Sequence, residues 1–329
     1  MRARSFWVTA PGIGEIRSEV LREPAEDEVL VRTLYSGVSR GTETLVFQGR
    51  VPESQYDRMR CPHQGGHFGR ELKYGYIAVG VVEQGDGMVG QRVFCLHPHQ
   101  DRFVVKRSAV TPLIEGLDPA LAVLAANMET AVNGVWDACP TPTDRVTVIG
   151  AGVVGALVAW RLGRAVNAPV ELVDIQSSRS SLAEPLGLAF KTPEAATPNR
   201  TLIVHASGTA AGLRHALELA GDDGRIIEMS WFGDQLVALP LGEAFHSRRL
   251  TIACSQVGAI PPSMRDSMDF AGRMDVVMDT LLHHPELKVL INSEGSFRSL
   301  PKTMERLAEG APEVLCHRVC YEENDPCID

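Results

Sequence analysis

Three glycines at the spacing G-x-G-x-x-G, Gly150, Gly152 and Gly155, close a short apolar run, Arg145-Val-Thr-Val-Ile149. They open a segment of helical texture, Ala156-Leu-Val-Ala-Trp-Arg-Leu162. The chemistry such a turn serves is the binding of a pyrophosphate. The first glycine permits the tight turn, the second lets the backbone approach the phosphates, and the third lets helix pack closely on strand. The N–H groups of Val153, Val154 and Gly155 then begin the helix, where free donors and a partial positive charge face an anion. Asp174 lies nineteen residues past Gly155, at the end of a second apolar run, Pro169-Val-Glu-Leu-Val173. A carboxylate there hydrogen-bonds a ribose hydroxyl. Strand, glycines, helix, strand and acid in this order read as a dinucleotide site rather than as a bare βαβ turn. Asp174 would force two negative groups together on a 2′-phosphate, and Arg179 nearby partly offsets this. The expected cofactor is therefore NAD, with NADP second. Ser207 and Gly208 end the run Val204-His-Ala-Ser-Gly208, at the carboxyl end of a further strand, where the cofactor is expected.

Imidazoles supply a second set of reactive groups. His97 and His99 stand in Cys95-Leu-His-Pro-His-Gln-Asp-Arg102. Histidine titrates near neutral pH, so either ring could shuttle a proton, and a His-x-His pair could take a metal. Solvated turn histidines are the plainer alternative. The run Cys61-Pro-His-Gln-Gly-Gly-His-Phe-Gly-Arg-Glu71 also holds Cys, His and Glu at ligand-like spacings. Its glycines and proline favour a flexible, substrate-covering loop over a structural metal site.

These groups need elements to position them. From Asp144 to about Ser255, apolar runs at 145–149, 169–173, 201–205, 224–229 and 250–255 alternate with helical stretches near 152–165, 177–187 and 209–220. The alternation predicts an α/β unit with a parallel, doubly wound sheet, its ligand crevice at the carboxyl ends of the strands. Residues 1–118 read as β-rich, with strands near Val29, Tyr76, Gln91 and Asp101. A helix begins at Pro119 with Asp118 as its N-cap. Beyond the sheet come a helix near 264–283, an apolar run at 288–291, a helix near 300–309, a strand at 314–321 and a tail from Glu322. The substrate is expected against the N-terminal domain.

Bulk properties exclude several classes. Of the 329 residues, 44% are hydrophobic and 22% charged, as in ordinary globular proteins. A net charge of −9 without a basic block argues against nucleic acid. No apolar run reaches the ~20 residues that span a bilayer. The start, Met1-Arg-Ala-Arg-Ser-Phe-Trp-Val8, lacks an apolar signal core, so a cytoplasmic protein without membrane contact is expected. The seven cysteines form no C-x-x-C, which argues against both a disulfide framework and a four-cysteine zinc lobe.

The order of these elements resembles the medium-chain dehydrogenase/reductase superfamily, over nearly the whole chain. The resemblance rests on Ser36-Gly-Val-Ser-Arg-Gly-Thr-Glu43, Tyr76-Ile-Ala-Val-Gly-Val-Val82, Gly90-Gln-Arg-Val-Phe94, the stretch 145–174, Val204-His-Ala-Ser-Gly208 and Phe245-His-Ser-Arg-Arg-Leu-Thr-Ile252. The first of these, with Phe47-Gln-Gly-Arg-Val-Pro52, is similar to a branch that includes bacteriochlorophyllide dehydrogenases, and closer still to bacterial homologues known only as zinc-binding dehydrogenases. The resemblance implies a GroES-like β-rich catalytic domain, residues 1–120 completed by 257–329, and a Rossmann domain, 121–256. It also implies a homodimer paired through the last strand of the Rossmann sheet.

Zinc-dependent relatives carry a Cys, a Gly-His-Glu and a third ligand. Here those positions read Ser39, Gly75-Tyr76-Ile77 and Glu129, and the four-cysteine lobe is missing. A Ser, a Tyr and a Glu suit zinc poorly, so no catalytic zinc is expected. A protonated side chain must then stabilise the developing alkoxide. Tyr76 is the candidate donor, with Lys73 near it. By the same resemblance Thr42 is a proton-relay hydroxyl, Glu43 a cleft-floor carboxylate with the tying down of Arg40 as its alternative role, and Glu129 an acid/base or orienting group. The expected activity is NAD(H)-dependent interconversion of an alcohol and a carbonyl on a small molecule, or reduction of an activated double bond. Two alternatives stay open: a zinc enzyme with ligands from Glu129, His97 or His99, and a non-catalytic dinucleotide-binding sensor or subunit.

Overall fold

The computed structural model describes residues 1–321. The tail expected from Glu322, and Cys327 within it, lie outside the described residues. The chain divides into two compact units: Met1–Ala126 together with Met278 onward, and Asn127–Val277. The second unit thus runs past residue 256, because its contacts extend into the helix Phe270–His283.

The first unit is built from two sheets. Arg2–Ala10 and Ile13–Val20 form an antiparallel hairpin, with Leu72–Lys73 and Gly65–Gly66 continuing the sheet. The larger, seven-stranded sheet centres on Glu28–Val38. Ala78–Gln84 pairs along Leu30–Ser36, Cys316–Cys320 with its end at Tyr35–Val38, and Arg102–Lys106 with its beginning at Glu28–Arg32. The alternating β-branched residues of these strands put Val29, Val31, Val82, Val93, Phe103 and Val105 into one core. The expected hydrophobic strands all form. The hairpin and the helix Arg40–Phe47 were not marked by any strong period.

The second unit has a six-stranded, all-parallel sheet in the order Ala189–Lys191, Glu171–Val173, Val146–Ile149, Arg200–His205, Ala220–Glu228, Thr251–Cys254. This is the doubly wound 3-2-1-4-5-6 order, whose crevice opens where the order reverses, between Val146–Ile149 and Arg200–His205. Central strands are buried on both faces, so they read as continuous apolar runs. Five of the six were legible, the inner four for that reason and Thr251–Cys254, at the exposed edge, from its short Leu-Thr-Ile run. Ala189–Lys191 was not: it is three residues long, half-buried and ends in a lysine. The helix expected at 177–187 shrinks to a 3-10 turn, Ser177–Arg179, and Ser180–Ala183. Thr251–Cys254 is the exposed edge of the sheet. Among the described residues no helix is long and apolar enough to cross a membrane.

Candidate active site

In the second unit two of the three fingerprint glycines have a steric reason within the chain itself. Gly150 has φ +106°, and a Cβ there would lie 2.6 Å from Ser207 N. A Cβ on Gly155 would lie 1.8 Å from Gly150 O, so helix and turn touch backbone to backbone. A Cβ on Gly152 would meet nothing within 4 Å. The space before Gly152 is open, and the helix Val153–Leu162 starts there without a side-chain cap. Val153, Val154 and Gly155 therefore present N–H groups that the helix itself cannot satisfy. This cradle fits a pyrophosphate.

Asp174 ends its strand with the carboxylate bound on both oxygens. Oδ2 accepts from Ala151 N and Arg179 Nη1, each at 2.7 Å, and Oδ1 from Gln176 N at 2.8 Å. The carboxylate is thus locked to the glycine turn, and Arg179 neutralises it. Ser207 and Gly208 lie two and three residues past the end of Arg200–His205, with Ser207 packed on Gly150. One group here escaped the sequence reading. His205 hydrogen-bonds Ser207 Oγ at 2.6 Å and Glu228 Oε2 at 2.7 Å. A signal existed: a histidine closing the buried run Leu202-Ile-Val204 must have polar partners.

In the first unit Tyr76 is half-buried and hydrogen-bonds the side chains of Ser39 and Thr42. Burial first, then the negative charge of Glu43, raises its phenol well above the usual range. Ser39 is the N-cap of Arg40–Phe47, yet its hydroxyl does not cap the helix. Its N–H instead donates to Glu43 Oε1 at 2.8 Å. Glu43 Oε2 takes His99 Nε2 at 2.8 Å, and His99 Nδ1 meets Ser36 Oγ at 2.7 Å, itself 2.9 Å from Tyr321 Oη. Gly75, at φ +128°, makes room for this ring, since a Cβ would lie 3.0 Å from His99 Cδ2. Tyr76, Ser39, Thr42, Glu43 and His99 are thus linked by hydrogen bonds from phenol to imidazole.

Other expected groups are engaged elsewhere. His97 is no solvated turn residue: its ring stacks on Phe103 with centroids 3.8 Å apart, and Nδ1 donates to Pro98 O. Burial holds it well below the usual imidazole range. Lys73 turns to Glu19 at 2.9 Å and Gln100 at 2.6 Å. Arg40 reaches Ala311 O at 2.7 Å while Glu43 binds His99. Glu129 is half of a buried pair in the second unit, its Oε1 receiving Arg273 Nη2 at 2.8 Å and Nε at 3.1 Å. Desolvation raises its pKa against the pull of Arg273. In the 61–71 loop, burial pushes the Cys61 thiol up to about 12, His63 stacks on His97, His67 accepts from Arg60, and Glu71 pairs with Arg17. Ser39 and Tyr76 are neutral oxygens bound to each other, Glu129 is held by Arg273, and both His99 nitrogens are engaged, so this donor set does not fit a catalytic zinc. Among the described residues no group of three or more His, Cys, Asp and Glu is arranged around a metal position.

No family model and no curated protein matches the sequence. Solved structures do match it. L-idonate 5-dehydrogenase from Escherichia coli K-12 superposes with TM-score 0.79 at 14% identity, covering 97% of this chain and 98% of its own. An E. coli CFT073 alcohol dehydrogenase solved with NADH gives 0.75 at 17%, covering 97% and 99%. A Sinorhizobium meliloti 1021 protein solved with NADP gives 0.78 at 17%, again over 97% and 99%. The fold is that of the alcohol-dehydrogenase-type enzymes. Its two parts match the GroES-like and Rossmann domains that the motifs led us to expect.

Proposed function

We propose that this chain is a nicotinamide-dependent oxidoreductase that interconverts an alcohol and a carbonyl on a small molecule, with Tyr76 as the proton-transferring group in place of zinc. The observation that carries the reading is the open, uncapped cradle at Gly152, closed behind by Gly150 and Gly155 and joined to Asp174. Val153, Val154 and Gly155 would hold the pyrophosphate, Asp174 the adenine-side ribose, and Ser207 and Gly208 the nicotinamide side. A bound nicotinamide supplies or takes up the hydride. Tyr76 donates its phenolic proton to the carbonyl oxygen and recovers it in the reverse direction, while Ser39 and Thr42 orient the phenol. Burial and Glu43 hold Tyr76 in its protonated form, the form that donates. The Asp174 carboxylate favours NAD over NADP. An activated double bond remains a second substrate class for the same groups. We also propose a homodimer joined through the exposed edge strand Thr251–Cys254.

The test is turnover of NADH with a panel of ketones, aldehydes and enones, alongside the Tyr76→Phe variant. The expected fall in kcat is about 100-fold or more, the usual scale of a lost general acid, with NADH affinity unchanged. A chelator should leave the rate alone. Tight NADH binding without turnover would instead make the chain a sensor, and loss of rate with a chelator would restore the zinc reading.

A further inference from the structure

His97 takes no part in the hydrogen bonds that run from Tyr76 to His99, yet its ring is held in place. Its backbone N–H turns back to Cys95 O at 2.9 Å. The ring stacks on Phe103, with centroids 3.8 Å apart and planes 10° apart, and His63 stacks on it at 5.4 Å. Nδ1 lies 2.9 Å from Pro98 O. A carbonyl only accepts, so Nδ1 carries the proton and, in the neutral ring, Nε2 is a bare acceptor. Burial favours that neutral ring. Nε2 has no partner among the described residues, and it is not sealed in as His317 Nε2 is. The residue keeps 5% of its surface open. The topology puts this acceptor with Tyr76. Ala78 and Cys95 are the last register pair between Ala78–Gln84 and Arg92–Cys95. Tyr76 stands two residues before that pair and His97 two residues past it, so both leave the sheet at one end. The 61–71 loop meets both: Cys61 hydrogen-bonds the backbone of Gly75, and His63 stacks on His97.

We propose that His97 is a specificity-determining residue whose Nε2 accepts a hydrogen bond from a hydroxyl of the substrate, a second polar group beside the carbonyl that Tyr76 protonates. The inference rests on the oxidoreductase reading above and narrows its substrate to a hydroxy-ketone or hydroxy-aldehyde. A bare acceptor on a buried ring costs free energy when it is covered without a donor. An alkyl group seated there is therefore penalised, and a hydroxyl of the same size is not. The charge of Lys73 bears on both His97 and His63, which sets a neutral hydroxyl ahead of an ammonium as the donor. Phe103 and Pro98 O fix the acceptor before the ligand arrives, so less order is lost on binding.

The test is NADH-dependent reduction, by the full chain, of two ketone pairs that differ only by a hydroxyl against a methyl. The pairs are hydroxyacetone with 2-butanone, and 4-hydroxy-2-butanone with 2-pentanone. In at least one pair the hydroxyl member is expected to have the higher kcat/KM by about tenfold or more, the scale of one hydrogen bond to a buried group. His97→Phe keeps a ring against Phe103 and deletes the acceptor, so it should bring that ratio to within about twofold of one. Nitrogen NMR of the His97 ring in the wild-type chain should show Nδ1 protonated and Nε2 bare. Turnover with equal kcat/KM in both pairs would overturn the proposal. So would a ratio that survives in His97→Phe, a ring protonated on Nε2, or a higher kcat/KM for aminoacetone than for hydroxyacetone. A chain that reduces none of these ketones would overturn the oxidoreductase reading instead. The Nε2 signal then decides for the site itself: a shift with hydroxyacetone and none with 2-butanone sustains it, and equal or absent shifts overturn it.

Discussion

Asp174 and Arg179 hold opposite charges 2.7 Å apart, and each changes what the other can bind. With its guanidinium committed to Asp174, Arg179 cannot also offset a 2′-phosphate. Asp174→Ala should release it, and remove the repulsion as well. The expected result is a preference moved toward NADP by about tenfold or more, read as the ratio of NADPH to NADH dissociation constants, with Arg179→Ala in the same background abolishing the gain. That Asp174 belongs beside the glycine turn was legible from nineteen residues of spacing. That Arg179 would pair with it was half legible, since five residues separate them. Glu129 shows the opposite case. Its partner Arg273 is 144 residues away, so no local pattern could have distinguished an ion pair from an acid waiting for substrate. His99 is similar: its burial depends on Gly75 and Glu43, which the chain brings to it from elsewhere.

At the level of elements, the glycine turn is two devices in one stretch, and two single substitutions should separate them. Gly152→Ala adds a methyl to open space. The fold should tolerate it to within about 1 kcal/mol while NADH affinity falls at least roughly tenfold, because the methyl occupies the approach of the phosphates. Gly155→Ala drives a methyl into the Gly150 carbonyl and should destabilise the second unit by about 3 kcal/mol or more, visible as a lower Tm even without ligand. Equal behaviour of the two would contradict the division of roles. Sequence reading found elements with a continuous buried run and missed both the two-residue strands and the longer, partly exposed hairpin, for a physical reason. Arg200–His205 buries Leu202, Ile203 and Val204, so hydrophobicity alone marks it. Leu72–Lys73 and Gly65–Gly66 are two residues each, stabilised by neighbours rather than by any period of their own.

The whole molecule should weaken in acid, beginning with the first unit. Burial holds His317 down to about 4, against an unfolded value near 6.5, and lowers His63 and His97 in the same direction. A depressed folded pKa means the unfolded chain takes up the proton first. The stability it contributes is full above about 6.5 and is lost as pH falls toward 4. His317 alone should remove roughly 2 kcal/mol between pH 7 and 5, and His317→Asn should flatten that part of a urea-unfolding series. The two units also differ in how the chain supplies them. Asn127–Val277 is one continuous stretch, whereas the first unit is split, and Tyr35–Val38 pairs with Cys316–Cys320, made only after the whole second unit. During synthesis, then, the later-made unit should finish folding first, and the earlier-made one must wait with one edge of residues 35–38 unpaired. Pulse proteolysis of ribosome-stalled chains should find 127–277 protected while 28–38 is still cut. On the ribosome, the strand made first at the heart of that sheet is the one whose edge stays open for longest.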